Sequence, residues 1–261
     1  MPNEIQAKSK AMIFSRQYDF LFIKGRKVAG TSVEIALSTV CGPDDIITPI
    51  TPIDELERLR RGGRGAQNYS VDRNEERNYL ERLAQAGADA VTKKHSRSQL
   101  YASHMSLQDF VDRFGSLPTR RDFCVERSPY SKVISKAVMA ANFTKYKRKG
   151  KSMSLAPEQI PVVVAAYMQR EAAFEICRNV ELYRGADTKV SVRALRQEFL
   201  FDDFAALMKD YNISPVPELP HAKQGINSNQ LDPKSVFTRD QLNTINDFFS
   251  EEFDTFGYER V

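Results

Sequence analysis

The chain has 261 residues, enough for one large α/β domain, or a domain with a helical lobe, with an ample core. Its 41% apolar and 28% charged residues are those of a globular protein, and neither internal repeats nor low-complexity tracts interrupt them. The formal charge of +4, from 38 basic against 34 acidic residues, is too small a surplus for a nucleic-acid binder and suits an anionic small ligand.

Met1 to Arg16 is polar apart from Ala11 to Phe14, so neither a signal peptide nor a membrane anchor is expected there, and a cytoplasmic location follows. Tyr18 to Lys24 (YDFLFIK) is rich in aromatic and β-branched residues, which predicts the first core strand, ended by Gly25. After the turn GRKVAG, Thr31 can cap a helix carrying Val33, Ala36, Leu37 and Val40 at helical spacing, stopped by Cys41-Gly42-Pro43. From Gly42 to about Leu100, proline turns, the basic run Arg58 to Gly65 and a charged helical stretch from Val71 to Ala88 predict an inserted, surface-facing lobe. Ser106-Leu107-Gln108-Asp109 has the pattern of a capping box and opens a helix through Phe114, so His104 stands just before a helix.

Asp122 to Glu126 (DFCVE) predicts a second buried strand, and Pro129 starts a helix through Met139, with Arg127 and Ser128 in the turn between. The basic segment Lys145 to Lys151 reads as a solvated loop before a long helical pattern at Pro157 to Cys177. A strand at Lys189 to Val192, a helix near Asp203 to Asp210, a proline-rich loop at Pro215 to Pro220 and a helix begun by Thr238 with Gln241 complete the series. Strands alternating with helices predict an α/β fold: a central, mostly parallel sheet flanked by helices, in a single domain over 1–261 with insertion lobes at about 42–100 and 144–185. Cys41, Cys124 and Cys177 are odd in number, far apart and form no CxxC pair, so they read as buried free thiols.

Gly25-Arg26-Lys27-Val28-Ala29-Gly30-Thr31-Ser32 has the glycine spacing of the phosphate-binding loop G-x-x-x-x-G-K-[ST] and follows a predicted strand, as that motif must. Thr31 replaces its lysine, and the loop's lysine has moved to Lys27. Backbone amides at the helix start can still cradle a phosphate, but the clamp on a nucleoside triphosphate with magnesium is missing. Read singly, such a turn occurs about as often without a ligand as with one. Arg127, directly after a buried strand, and Ser135, eight residues on, are suitable donors to a second phosphate; either alone reads as a surface or packing residue. His104 has the chemistry of a base for an acceptor hydroxyl, against the plainer role of a histidine bonded to a backbone group at a helix start. His95, in the tract KKHSRS, reads as solvated, and His221 as part of a proline-flanked loop.

These residues together resemble the sulfotransferases that use 3′-phosphoadenosine 5′-phosphosulfate (PAPS), and the carbohydrate-type branch in particular. Phe20 to Ser32, FLFIKGRKVAGTS, resembles that family's 5′-phosphosulfate loop; Phe123 to Ser135, FCVERSPYSKVIS, resembles its 3′-phosphate motif; and Tyr101 to Met105 resembles its short histidine segment, in the same order. The chain departs from the family in having Glu126-Arg127-Ser128-Pro129 where Val-Arg-Asp-Pro is usual and Gly25-Arg26 where Ile-Pro often stands. The resemblance implies a P-loop nucleoside-triphosphate-hydrolase-like fold. It implies that Lys27, Ala29, Gly30, Thr31 and Ser32 hold the 5′-phosphosulfate, that Arg127 and Ser135 hold the 3′-phosphate, and that His104 is the general base, with Lys27 also catalytic. Lys223, Asn227 and Ser228 are candidate further donor contacts. The product would be adenosine 3′,5′-bisphosphate, no metal is expected, and the acceptor is a hydroxylated sugar, lipid or small metabolite. Two other readings stay open at this point: a P-loop nucleotide or small-molecule kinase, and a catalytically inactive nucleotide-binding domain.

Overall fold

Every residue of β1 (Met12–Ser15) and β2 (Phe20–Ile23) is buried, and because successive side chains of a strand point to opposite faces, these two runs need a covering layer on both sides. The computed structural model describes residues 12–87, 99–101, 104–117, 119, 121–149, 155–170, 173–185, 189–220 and 230–261, with the backbone alone for 143–149 and 176. Three further strands, β3 (Ile46–Ile47), β4 (Asp122–Glu126) and β5 (Arg193–Arg196), give a five-stranded sheet in the order β3-β1-β2-β4-β5. The helices are α1 (Gly30–Ser38), α2 (Pro52–Arg60), α3 (Arg73–Ala86), α4 (Leu107–Phe114), α5 (Pro129–Lys149), α6 (Ile160–Met168), α7 (Leu200–Asp210), α8 (Pro233–Val236), α9 (Arg239–Phe248) and α10 (Ser250–Phe256).

The fold is α/β, but the sheet is mixed rather than mostly parallel. β2 runs parallel to β4 and β4 to β5, whereas β1 is antiparallel to both β2 and β3. The difference comes from β1, which the sequence reading passed over as a lone apolar patch. It pairs with β2 as a hairpin, Met12 opposite Ile23 and Ser15 opposite Phe20, and a hairpin needs only a tight turn where a parallel pair needs a crossover. The strand expected at Tyr18 to Lys24 is accordingly β2, confined to Phe20–Ile23, with the residues before it forming the turn and Asp19 at φ 53°.

On one face Met12, Phe14, Leu21, Ile23 and Cys124 pack against Tyr79 and Leu83 of α3, Phe110 of α4 and Phe256 of α10. On the other, Ile13, Phe20, Phe22, Phe123, Val125 and Leu195 meet Val33, Ala36 and Leu37 of α1 and Phe204, Leu207 and Met208 of α7. A third cluster joins Val133, Ile134 and Ala137 of α5 to Ile160 and Val164 of α6, Ile245 of α9 and Phe249 and Phe253 of α10. At about 1.5–3 kcal/mol for each large apolar side chain buried, these clusters supply most of the driving force for folding. Cys41, Cys124 and Cys177 are free and buried in them.

Several segments differ from expectation. Within the stretch expected as a surface-facing lobe, the described residues 42–87 join the core instead: they add β3 to the sheet edge, and α3 covers one sheet face. Within its basic run Arg58 is fully buried against Glu55 at 2.9 Å, because only a few inward positions of a charged helix decide what it covers. The helix after Pro129 continues to Lys149 through much of the expected basic loop, since lysine and arginine are good helix formers. The pattern at 157–177 breaks into a 3₁₀ turn (Pro157–Gln159), α6 and a second turn (Glu175–Cys177). The Tyr167 hydroxyl donates to the Ala173 carbonyl at 2.5 Å and folds the chain back over the end of α6. The last strand lies at Arg193–Arg196 rather than 189–192, fixed by parallel pairing of Phe123 with Arg193 and Glu126 with Arg196. The helix expected after Thr238 begins at the Thr238–Gln241 capping box as α9, and a further helix, α10, follows it. Among the described residues no helix is long and apolar enough to cross a membrane.

Candidate functional site

Because β2 and β4 are parallel neighbours with Ile23 opposite Cys124, the turns that follow them leave the same, carboxyl-terminal end of the sheet side by side. One is the loop Lys24 to Ala29 leading into α1; the other is Arg127-Ser128 leading into α5. In open α/β sheets this is the end at which ligands bind.

In the loop the left-handed residues are not the glycines but Lys27 at φ 65° and Ala29 at φ 63°. Ala29 is also the N-cap of α1, with no side-chain cap, so the expected cap at Thr31 is corrected: Thr31 lies inside the helix and is buried. A left-handed residue followed by helical Gly30 and Thr31 is the backbone arrangement that forms an anion-receptive concavity at a helix start, and no acidic residue in the first turn opposes it. Gly25 and Gly30 serve close approach instead. A Cβ on Gly25 would lie 2.2 Å from the Tyr183 hydroxyl, and one on Gly30 would lie 2.6 Å from Cγ of Lys24. Lys24 passes over Gly30 to form a buried ion pair with Glu34 of α1, which ties the strand end to the helix.

Lys27, half-buried, reaches α5, where its Nζ lies 3.4 Å from Sδ of Met139. Met139 is one helical turn beyond half-buried Ser135, so Lys27 and Ser135 share one side of α5. Arg127 is buried, and burial lowers its guanidinium to about 10 against the opposing pull of Glu198 and Tyr258, so it is cationic at neutral pH. Glu198 accepts from the backbone N–H of Ser128 at 3.0 Å and from the Tyr258 hydroxyl at 3.2 Å, which holds the arginine turn against the end of β5. Ser32 belongs to the first turn of α1, its N–H donating to the Ala29 carbonyl at 3.0 Å.

His104 stands two residues before Ser106, whose hydroxyl accepts from Asp109 N–H at 3.0 Å and caps α4. The histidine therefore does not cap the helix. Its backbone is left-handed at φ 60°, and its Nδ1 lies 2.9 Å from the carbonyl of Lys24. A carbonyl only accepts, so Nδ1 carries the proton and the lone pair of the neutral ring is on Nε2. The described structure thus puts Lys27, Ala29, Gly30, Thr31, Ser32 and Arg127 on the segments that follow two adjacent strands, with His104 bonded to the Lys24 carbonyl there and Ser135 further along α5. Lys223, Asn227, Ser228, His221 and His95 lie outside the described residues.

Sequence reasoning missed the groups beneath the loop. Asn179 is fully buried and clasps Arg26 from both sides, accepting from its N–H at 2.8 Å and donating to its carbonyl at 3.0 Å. Glu126, noted only as a departure from a family motif, is buried with Lys132 at 2.9 Å, and Lys132 also pairs with Glu252 of α10. Burial pushes the Glu126 carboxyl up to about 7 even with Lys132 pulling it down, while the two carboxylates hold the Lys132 ammonium above its ordinary value. Two carboxylates around one ammonium leave one negative charge in excess, which adds to burial in disfavouring ionisation of Glu126. A carboxylate closing a buried strand with the apolar interior Phe123-Cys124-Val125 was the available signal; for Asn179, 153 residues from its partner, there was none. Among the described residues no group of three or more histidine, cysteine or acidic residues is arranged to hold a metal. Compared with protein-family models, with curated proteins and with solved structures, the chain matches none.

Proposed function

We propose that this chain is a PAPS-dependent sulfotransferase with a P-loop-like α/β domain. The observation that carries the reading is the convergence, at one end of neighbouring parallel strands, of an anion-receptive loop, a buried cationic Arg127 and a histidine ring anchored 2.9 Å from the loop's own carbonyl. Two cationic or amide-lined sites on adjacent turns suit a ligand with two separate anionic groups, and Lys27 in place of the usual helix-start lysine suits a single phosphosulfate better than a magnesium-bound triphosphate.

On this reading the loop backbone at Ala29 and Gly30, with Thr31 and Ser32, holds the 5′-phosphosulfate, and Arg127 and Ser135 hold the 3′-phosphate. Lys223, Asn227 and Ser228 join the donor contacts through the resemblance. Nε2 of His104 takes the proton from the acceptor hydroxyl as its oxygen forms the new O–S bond. Lys27 offsets the charge that grows on the phosphate oxygen as the old S–O bond breaks, and adenosine 3′,5′-bisphosphate leaves. A positioned base is worth ~10²- to 10⁴-fold and a preorganised charge donor about 3 kcal/mol. The acceptor is a hydroxyl compound.

The test is ligand stabilisation followed by turnover. Adenosine 3′,5′-bisphosphate in the presence of a chelator should raise the melting temperature, since a ligand held only by the native state stabilises it by mass action, and ATP should do much less. A larger, magnesium-dependent shift with ATP would favour the kinase. Incubation with radiolabelled PAPS and metabolite fractions then identifies the acceptor, and bisphosphate binding with no transfer to any fraction would favour the inactive domain.

A further inference from the structure

We propose that Asn179 is a positioning residue: with the buried chain Glu252–Lys132–Glu126 beneath it, it holds the glycine loop and the Arg127 turn at a fixed separation, so that one ligand can be gripped at two anionic ends. The inference rests on the donor-site reading above and adds the device that sets its span.

Arg26 lies beyond the end of β2, where sheet pairing stops. Asn179 supplies there what a neighbouring strand would supply, one acceptor and one donor matched to the N–H and carbonyl of Arg26 at 2.8 and 3.0 Å. The main chain of the same residue is tied down in turn. The N–H groups of Asn179 and Val180, the latter at 3.0 Å, donate to Glu252. Glu252 pairs with Lys132, Lys132 with Glu126 at 2.9 Å, and Glu126 accepts from the backbone N–H of Arg127 at 2.9 Å. The path from Arg26 to Arg127 is thus a continuous series of polar contacts, half-buried at Arg26 and buried from Asn179 onward. A shorter branch runs from Nδ2 of Asn179 to Glu126 at 3.5 Å, and the Tyr183 hydroxyl, which fills the space over Gly25, donates to Glu126 at 3.3 Å.

Such a network is a costly way to fill a core. Replacing a buried ion pair or triad with apolar side chains of similar volume is often neutral or stabilising, so packing alone does not account for it. What it does supply is direction: each group fixes the next, and the two ends are the two turns of the candidate donor site. Gripping both ends of one ligand gains affinity only when the two sites sit at the ligand's own spacing.

Calorimetric titration of Asn179→Ala, alone and in an Arg127→Ala background, tests this with adenosine 3′,5′-bisphosphate and adenosine 5′-monophosphate. The expected result is a loss of about tenfold for the bisphosphate, within the coupling found between residues of one network. For the monophosphate, which needs the loop alone, the change should be under about twofold, and the bisphosphate loss should disappear once Arg127 is gone. Equal losses for the two ligands, or a loss that persists without Arg127, would overturn the proposal. If Asn179→Ala does not fold, Tyr183→Phe removes a link of the same network without leaving a large void and carries the same comparison. Should the wild-type chain bind neither nucleotide, the donor-site reading fails, and amide hydrogen exchange still decides the positioning. Asn179→Ala should then speed exchange at Arg26 and Arg127 together, whereas faster exchange at Arg26 alone would show that no coupling reaches the second turn.

Discussion

Gly25→Ala should destabilise the protein through one atom of Tyr183, and Tyr183→Phe should restore most of the loss. The added Cβ would stand 2.2 Å from the Tyr183 hydroxyl and 3.0 Å from both Nδ2 of Asn179 and Cγ2 of Val28. Backbone strain is not the cause, since the left-handed residues of this loop are Lys27 and Ala29. Tyr183 is fully buried and cannot swing into solvent, so the clash is relieved by shifting the loop or the ring, at about 1–3 kcal/mol for overpacking. With about 2.1 cal/mol/K of unfolding entropy per residue, a chain of 261 residues loses roughly 2–5 °C of melting temperature. Tyr183→Phe alone gives up hydroxyl contacts at 3.3 and 3.4 Å, about 1 kcal/mol. The double variant should be more stable than the sum of the singles by at least ~0.5 kcal/mol, because the closest atom is gone. Urea denaturation of the four proteins reads this directly. Strict additivity would show that Gly25 is required for its backbone, and the steric account of the loop would be wrong.

Three further outcomes are expected. Arg127→Ala should weaken adenosine 3′,5′-bisphosphate by about 10- to 100-fold, the ~1.5–3 kcal/mol of a charge-assisted hydrogen bond. Adenosine 5′-phosphosulfate should be little affected, and equal loss of both in calorimetry would make Arg127 structural. His104→Ala should leave bisphosphate affinity near wild type while initial-rate sulfuryl transfer falls by ~10²-fold or more, and retained turnover per folded molecule would remove His104 from the chemistry. Glu126→Gln should change how stability depends on pH. The wild-type carboxyl, raised from 4.5 to about 7 by burial, keeps its proton in the folded state over a range where the unfolded chain has lost it. Its contribution is therefore present below pH 4.5 and is lost as pH rises towards 7. The stability difference between wild type and variant, from urea melts at several pH values, should shift against the wild type across that window; a flat difference would mean that the carboxyl titrates normally.

How much was legible in the sequence divides along the range of the interactions. The strand at Asp122–Glu126, the Ser106 cap of α4 and the capping box at Thr238 and Gln241 were readable because each depends on groups within about four residues, and residue spacing encodes such contacts directly. The same locality placed a phosphate-sized turn after β2 and an arginine after β4. Only the tertiary structure decided that the two turns are neighbours, because adjacency follows from the parallel register of Ile23 with Cys124, about a hundred residues apart. The hairpin partner Met12–Ser15 looked like an isolated apolar patch, since a strand this short has too few residues to display a period. Charged stretches misled in the opposite direction: α3 and the buried Arg58 cover core surface with a few inward groups while most of their neighbours face solvent. Asn179, Tyr183 and Glu252 were invisible for a related reason. A hydrogen-bonding side chain announces what it can bond, but its partner is chosen by the packing that brings 150-residue-distant backbone to within 3 Å of it.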